Sequence, residues 1–408
     1  MKESEECFMI LTEKQEQGLQ ICLERYRAGM KYSVIAGYAG TGKSTLVKFL
    51  ISALEQQCGI NPRKDVCYCA YTGKACQVLQ KKGNKPVSTL HRLLWEFQPR
   101  ADGTFFKKRR TFLTYKIVII DECSMLDAVM LAELASHKET HFIFLGDPGQ
   151  LPPIYSGAEG KQDGNSLLQS AHIFLDEVMR QAQESEIIQL SMKIREGKPL
   201  ECFKGQEVQV IDKSELVEGH LLWADQVICG TNATRIALNE QIRELKGLSG
   251  DMQEGDKVIC LRNQWDIVAS NTAEPLVNGA IGYVTDVYPT FIRLPWSGQM
   301  VDLYNASFTT DAEDEYEDLM LDKKSVEEGE YSLSFKDSAK IRNSKAMQNL
   351  LPLEFTYGYA ITAHKSQGSE WDKVLVIEEK FPFAKDEHQK WLYTAATRAA
   401  KKLVIVKA

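Results

Sequence analysis

The stretch Gly37-Tyr-Ala-Gly-Thr-Gly-Lys43-Ser44 follows an apolar, β-branched run, Tyr32 to Ala36, and precedes a helix-like segment, Thr45 to Gln57. It has the form GxxxxGK[ST], and a position between strand and helix is the setting that form requires. Glycines let the main chain wrap close to phosphate, and backbone N–H groups at a helix start meet the negative charge. Lys43 would reach the terminal phosphates and Ser44 would ligate Mg2+. Gly37, Gly40, Thr41, Gly42, Lys43, Ser44 and Thr45 are therefore the candidate nucleotide-binding residues. At ordinary residue frequencies the four fixed positions arise by chance in roughly 1–2% of chains this long, which disfavours an idle glycine turn.

Outward from this stretch, short apolar runs alternate with helical segments. Tyr32 to Ala36, Val66 to Ala70, Ile117 to Ile120 and Phe142 to Leu145 read as strands, separated by helices over 45–57, 74–82 and 127–136. A second set comprises strands at Gln226 to Cys229, Val374 to Ile377 and Leu403 to Val406, with helices near 233–245 and 387–399. The alternation predicts an α/β fold with parallel sheets in both parts. Between them, Val284 to Tyr288, Phe291 to Leu294 and Met300 to Tyr304 read as strands of a small β insertion, with Pro and Gly between them.

The strand Ile117 to Ile120 ends in Asp121-Glu122, 78 residues after Lys43. Carboxylates at the C-terminal end of a parallel strand sit in the crevice beside a phosphate loop. Asp121 is expected to hold Mg2+ together with Ser44, and Glu122 to orient and deprotonate an attacking water. Cradle and acid pair together specify an NTPase.

Composition sets outer limits. With 408 residues, 44% hydrophobic and 26% charged, the chain has the make-up of a folded protein of two to three domains. No apolar run approaches the roughly 20 residues of a membrane-spanning helix. The start, Met1-Lys-Glu-Ser-Glu-Glu-Cys7, carries acids where a secretory leader would carry basic residues, so the cytoplasm is the expected compartment. Ten cysteines include no CxxC pair and read as reduced and structural. The net charge of −7 is concentrated: ten acids and two lysines fall between Asp311 and Glu330, leaving the rest of the chain near neutral. That acidic run reads as a solvated loop or edge. Lys107-Lys-Arg-Arg110, flanked by Phe105, Phe106, Phe112 and Tyr115, is a candidate piece of a basic groove.

The class of NTPase is set by four further stretches: Phe144-Leu-Gly-Asp147-Pro-Gly-Gln150-Leu-Pro-Pro153, Val178-Met-Arg180-Gln, Ile361-Thr-Ala-His364-Lys365-Ser-Gln367-Gly-Ser-Glu370 and Tyr393-Thr-Ala-Ala-Thr-Arg398. With these in order, the sequence resembles the superfamily 1 helicases of the RecD-like and Dda-like branch, which moves 5′ to 3′ on single-stranded DNA. The resemblance runs from Gln15 to Arg398. It implies two RecA-like domains with ATP and Mg2+ between them. Gln15, in Leu11-Thr-Glu-Lys-Gln15, would read the adenine edge, and Gln150 would sense the terminal phosphate. Arg180 and Arg398 would meet the γ-phosphate as arginine fingers. Gly368 and Glu370 would contact nucleotide, and Thr72, Lys74, Ser88, His91, Thr362 and His364 would hold a single strand. Tyr71 stands where many relatives have Pro, and Cys123 follows the acid pair at a variable position; neither departure removes a chemical group.

The implied division places the first RecA-like domain over 1–93 and 116–175 and the second over 176–283 and 352–408. Residues 94–115, with the turn signal Asp102-Gly103, would form a wedge hairpin whose Phe105 and Phe106 stack on the last base pair. Residues 284–351 would form an SH3-like insertion. The expected activity is ATP-driven 5′ to 3′ unwinding by a monomer acting on single-stranded DNA and on junctions of single- and double-stranded DNA, alongside replication or recombination proteins. A DNA-stimulated translocase that remodels protein–DNA complexes is the alternative, and RNA remains open because stacking and phosphate contacts do not discriminate sugars.

Overall fold

The structure, a computed structural model, describes residues 11–99, 105–152, 164–272, 274–344, 347, 351–380 and 385–408. Its first part runs α1 (Glu13–Arg27), β1 (Tyr32–Gly37), α2 (Lys43–Cys58), β2 (Val66–Ala70), α3 (Gly73–Lys81), β3 (Val87–Thr89), α4 (Leu90–Leu94), β4 (Trp95–Pro99), β5 (Phe105–Arg109), β6 (Ile117–Ile120), α5 (Ala128–Ala135), β7 (His141–Gly146), α6 (Gly164–Gln169) and β8 (Ile173–Leu175). Six of these strands form one sheet in the order β3-β2-β6-β7-β1-β8, parallel throughout.

Side chains explain why this sheet lies in the middle of its layers. Val34 and Ala36 of β1 join Val118 and Ile120 of β6 in one apolar core, while Ile35 joins Ile117 and Ile119 in another on the opposite face. A strand apolar on both faces must be covered on both. Helix α2 covers one face through Leu46, Val47, Leu50, Ile51 and Leu54. Their spacing is that of a helical stripe, and each buried side chain contributes roughly 1.5–3 kcal/mol before ordering entropy is subtracted. Helix α5 covers the other face through Met130 and Leu134.

The second part continues α7 (Arg180–Gln183), α8 (Glu186–Arg195), β9 (Phe203–Lys204), β10 (Val208–Ile211), α9 (Glu218–Trp223), β11 (Gln226–Cys229), α10 (Asn232–Leu245), β12 (Lys257–Cys260), β13 (Gln264–Val268), β14 (Pro275–Leu276), β15 (Ile281–Arg293), β16 (Met300–Thr310), β17 (Glu315–Asp322), α11 (Lys323–Glu328), α12 (Phe335–Asn343), β18 (Phe355–Tyr357), β19 (Ala360–Thr362), α13 (Ala363–Ser366), β20 (Trp371–Ile377), α14 (Lys385–Ala396) and β21 (Ala399–Val406). A second sheet has the order β19-β11-β20-β21-β10-β9 and is parallel apart from its edge strand β9. A third, antiparallel along its length, has the order β17-β16-β15-β12-β18.

This third sheet corrects three expectations. The segments around Pro289 are not two strands but one, β15, which keeps its register against β16 on both sides of the proline. Proline is tolerated because β12 pairs only with Ile281 to Tyr283, so the outer edge of β15 is free at residue 289. The acidic run, read as a solvated loop or edge, spans a turn, the edge strand β17 and helix α11, and it is not uniformly solvated. Asp322 is fully buried, where it caps α11 through Ser325 N–H and also accepts from Ser332. Thirdly, the sheet recruits β12 and β18 from outside 284–351. Its Tyr304, Phe308 and Phe355 share one core with Val227, Leu375 and Val404 of the second sheet.

Within the span 94–115, β4 and β5 pair antiparallel, in register from Trp95 opposite Arg109 to Pro99 opposite Phe105. The expected turn residues, Asp102 and Gly103, and the side chains of Phe105 and Phe106 lie outside the described residues. The described cysteines are all free thiols, most of them buried.

Candidate active site

The loop from β1 to α2 turns on two residues with left-handed backbone, Gly40 (φ 75°) and Gly42 (φ 78°). A Cβ on Gly42 would lie 2.4 Å from Gln15 Nε2, so only glycine fits there. Gln15 is buried at the start of α1. Its Oε1 accepts from Thr12 N–H at 3.0 Å, and its Nε2 donates to the Thr41 carbonyl at 3.1 Å. The amide thus braces the phosphate loop. Lys43, the first residue of α2, donates from Nζ to the carbonyls of Gly37 at 2.7 Å and Tyr38 at 2.9 Å. Ser44 and Thr45 occupy the next two positions of the helix, Ser44 exposed and Thr45 half-buried.

Asp121 and Glu122 leave the end of β6, two strands from β1 in the sheet, which at about 4.8 Å per strand leaves roughly 10 Å between them for phosphate. Asp121 Oδ1 accepts from Glu122 N–H at 2.9 Å. Burial, and then the Glu122 carboxylate, push the Asp121 carboxyl above the usual carboxylate range, with that N–H and Lys43 working against the rise. Glu122 has φ 52°, a left-handed conformation that costs a non-glycine residue about 1–3 kcal/mol and is typically held in place at functional sites.

Residues of the second sheet close the opposite side. Arg398, buried at the start of the turn into β21, lies 3.8 Å from Glu122 Oε1. It is held by the Thr394 carbonyl at 3.1 Å and the Ser369 carbonyl at 3.3 Å. With the Gln150 amide oriented to suit its partners, Nε2 donates to Glu122 Oε2 at 3.1 Å and Oε1 accepts from Arg398 Nη2 at 3.2 Å. A cleft of about 360 Å³ is lined by Gly40, Lys43, Asp121, Glu122, Gln150, Gly368, Glu370 and Arg398, together with Asp147. Gly37, Thr41 and Gly42 of the loop, Gln15 of α1, and Ser44 and Thr45 of α2 do not line that cleft. Arg180 begins α7, and its side chain lies outside the described residues.

Several participants were not singled out from the sequence. Asp147 is buried, which raises its carboxyl pKa against the pull of Lys43, and it accepts from the Tyr393 hydroxyl at 2.6 Å and from Gly149 N–H at 2.8 Å. Leu151 N–H donates to Thr394 Oγ1 at 2.9 Å, and Gln367 Nε2 donates to the Leu151 carbonyl at 2.7 Å. Asp147 and Tyr393 both stand inside stretches quoted above, but they are 246 residues apart and nothing local pairs them.

The strand-binding candidates fall into two places. Thr72, Thr362 and His364 line one groove of about 650 Å³ together with Asn232, Asn278 and Lys365. Burial lowers the pKa of both His364 and Lys365. Lys74 and Ser88 line another cavity of about 320 Å³ that faces the third sheet. There Lys74 is paired with Asp311 at 2.9 Å, and Gln77 reaches Asp314 at 3.5 Å. His91 stacks on Trp95 at a centroid distance of 5.4 Å and meets Tyr71 edge-on at 5.7 Å.

The AAA domain family profile matches residues 11–219, just over half of the chain. The chain belongs to this AAA domain family. A second profile, the UvrD-like helicase C-terminal domain, matches residues 357–406, the part of the AAA protein that carries Arg398. Over 408 aligned residues the chain is 27% identical to an ATP-dependent RecD2 DNA helicase of Deinococcus radiodurans, covering 91% of this chain and 46% of that protein. It is 30% identical over 153 residues to the ATP-dependent DNA helicase dda of Enterobacteria phage T4, covering 36% of this chain and 34% of that protein. These two relatives carry RecD-like and Dda-like helicase names, the group that the motifs of this sequence resemble. The chain spans less than half the length of these relatives. A Pif1 helicase from Bacteroides, solved with ADP-AlF3 and single-stranded DNA, shares the fold with a TM-score of 0.51 at 18% identity, covering 98% of this chain and 92% of that one. A Pif1 helicase structure describing unwinding at forked DNA gives the same TM-score at 19% identity, covering 97% and 92%. These fold matches carry the expected α/β class with RecA-like domains. Among the described residues no helix is long and apolar enough to cross a membrane.

Proposed function

We propose that this chain is an ATP-driven helicase that moves 5′ to 3′ on single-stranded DNA as a monomer in the cytoplasm and opens duplex at junctions. The observation that carries the reading is the cleft itself. Lys43 and the Asp121–Glu122 pair come from the first sheet, Arg398 comes from the second, and Gln150 lies between Glu122 and Arg398.

Glycine loop, lysine and acid pair suit a nucleotide triphosphate. Among the described residues no group of three or more His, Cys, Asp or Glu is arranged to hold a metal ion by itself, and nucleotide-bound Mg2+ needs only one or two protein ligands beside phosphate. Asp121 and Ser44 fit that requirement and would hold the ion, whose chemistry is to neutralise phosphate charge. Glu122 orients a water and takes its proton as the oxygen attacks the γ-phosphorus, and the bond to the ADP oxygen breaks. Lys43, Arg398 and, from α7, Arg180 stabilise the charge on the transferring group. Gln15 reaches the adenine edge only by exchanging its bond to Thr41. Because Lys43 follows β1 of the first sheet and Arg398 precedes β21 of the second, a γ-phosphate bonded to both favours a closed arrangement that hydrolysis releases.

The strand follows the groove of Thr72, Thr362 and His364, where hydroxyl and imidazole groups suit phosphate and sugar contacts. Lys74 and Ser88 line a separate cavity beside α3 and β3, which the strand would enter only by continuing beyond that groove. Phe105 and Phe106 on the β4–β5 hairpin serve as the wedge. The test compares ATP-dependent opening of two duplexes that differ only in a 5′ or 3′ single-stranded tail, with hydrolysis measured with and without strand. Opening of the 5′-tailed duplex alone is expected. A 3′ preference would overturn the polarity, and strand-stimulated hydrolysis with neither duplex opened would favour the remodelling translocase.

A further inference from the structure

The phosphate loop is tied to the second sheet at a point that the proposed chemistry does not use. Ala39 N–H, at the apex of the loop, donates to the Tyr393 hydroxyl at 2.9 Å. The same hydroxyl donates to Asp147 Oδ2 at 2.6 Å. One oxygen on α14 therefore joins the loop after β1 and the turn after β7, both in the first sheet's half of the cleft. Tyr393 is 1% exposed and Asp147 2% exposed, so neither water nor an alternative partner can replace these bonds cheaply. The turn is shaped to receive the ring. A Cβ on Gly149 would lie 3.1 Å from Tyr393 Cε1 and 3.1 Å from Asp147 Oδ1.

Position gives this junction its meaning. Gln150, three residues after Asp147, lies between Glu122 and Arg398. Arg398 Nε donates to the carbonyl of Thr394, one residue after Tyr393. A shift of the loop at Ala39 is thus transmitted through one hydroxyl both to the turn carrying Gln150 and to the helix end that aims Arg398. We infer that Tyr393 is a positioning residue that couples the conformation of the phosphate loop to the placement of Gln150 and Arg398. It does not line the cleft itself. This inference rests on the ATPase reading proposed above.

The test uses the full chain with ATP, Mg2+ and a single-stranded oligonucleotide, measuring steady-state hydrolysis for Tyr393→Phe, Asp147→Asn and the double variant. Tyr393→Phe keeps the ring and removes the hydroxyl. Losing a bond to a buried carboxylate predicts a fall in kcat of about tenfold. KM for ATP should stay within about twofold, because the residue does not contact substrate. The double variant should be no slower than the slower single one, since both remove one junction. Should Tyr393→Phe prove unfolded at the assay temperature by circular dichroism, Asp147→Asn poses the same question from the other side of the bond. A Tyr393→Phe protein with unchanged kcat, a loss confined to KM, or losses that multiply in the double variant would each overturn the coupling while leaving the ATPase intact. A wild-type chain without strand-stimulated hydrolysis would overturn the ATPase reading and this inference with it.

Discussion

Lys74 belongs to the Thr72-Gly-Lys74 stretch expected to hold DNA, yet it already has an anion, Asp311, at 2.9 Å. Replacing Asp311 with Asn isolates what that pairing does. At an effective dielectric of 20 the attraction is about 6 kcal/mol before desolvation. Both side chains keep some water, 12% of Lys74 and 29% of Asp311 being exposed, so the net worth of the pair is near 1 kcal/mol. A phosphate binding Lys74 must displace Asp311 and recovers only the difference. Asp311→Asn should therefore tighten single-strand binding by about fivefold at low salt. One more counterion-releasing contact should steepen the slope of log affinity against log salt by about 0.7. Fluorescence anisotropy of a labelled oligonucleotide across a salt series reads both quantities. Lys74→Ala should be nearly silent in the wild-type background and should cancel the gain in the Asp311→Asn background. Unchanged or weaker binding by Asp311→Asn, or a gain that survives Lys74→Ala, would refute the competition.

Three further outcomes follow from the geometry. Gly42→Ala forces a side chain into a backbone of φ 78° and places its Cβ 2.4 Å from Gln15 Nε2; it should cost about 1–3 kcal/mol of stability and weaken nucleotide binding, both readable in melts with and without ATP. Arg398→Ala should leave ATP binding in place and lower single-turnover hydrolysis by about 10³-fold or more, the scale of an arginine finger; loss of binding with normal turnover would contradict its placement. Burial holds the Lys257 ammonium down at about 8, with Nζ bonded to the Asp225 carbonyl at 2.8 Å and to Gln226 Oε1 at 3.1 Å. Between that pH and the ordinary lysine range the unfolded chain holds the extra proton, so stability should rise with pH there by up to about 3 kcal/mol. Melting midpoints from pH 8 to 10 should show the rise in wild type and less of it in Lys257→Met.

The strands β1, β2, β6, β7, β11, β20 and β21 were legible because they are apolar runs between helix-length segments, whereas β3, β8, β9, β10 and β19 were not singled out; the loop from Gly37 to Ser44 declares itself within eight residues. Asp121 and Glu122 could be read because a strand ends on them. What local pattern could not supply was pairing at long range. Asp147 with Tyr393, Leu151 with Thr394 and Lys74 with Asp311 are each separated by more than 230 residues, and no periodicity encodes such a meeting. Pro289 misled for a different reason. It is a strand breaker only where its missing N–H would be needed, and the free outer edge of β15 removes the need. The acids of 311–330 were read as a block because charge counts do not show that Asp322 caps a helix from a buried site. The left-handed backbone of Glu122 leaves no mark in composition at all.

The core shared by the second and third sheets bears on how this half of the molecule comes apart. Tyr304 and Phe308 lie in the same apolar cluster as Val227, Leu375 and Val404, so neither sheet can open without stripping the other's inner face. Amide hydrogens of β16 and β20 should exchange with a common opening free energy, as one foldon. Excising 284–351 would then not yield a trimmed pair of sheets but would uncover an oily surface. What reads along the chain as an insert behaves in three dimensions as a keystone.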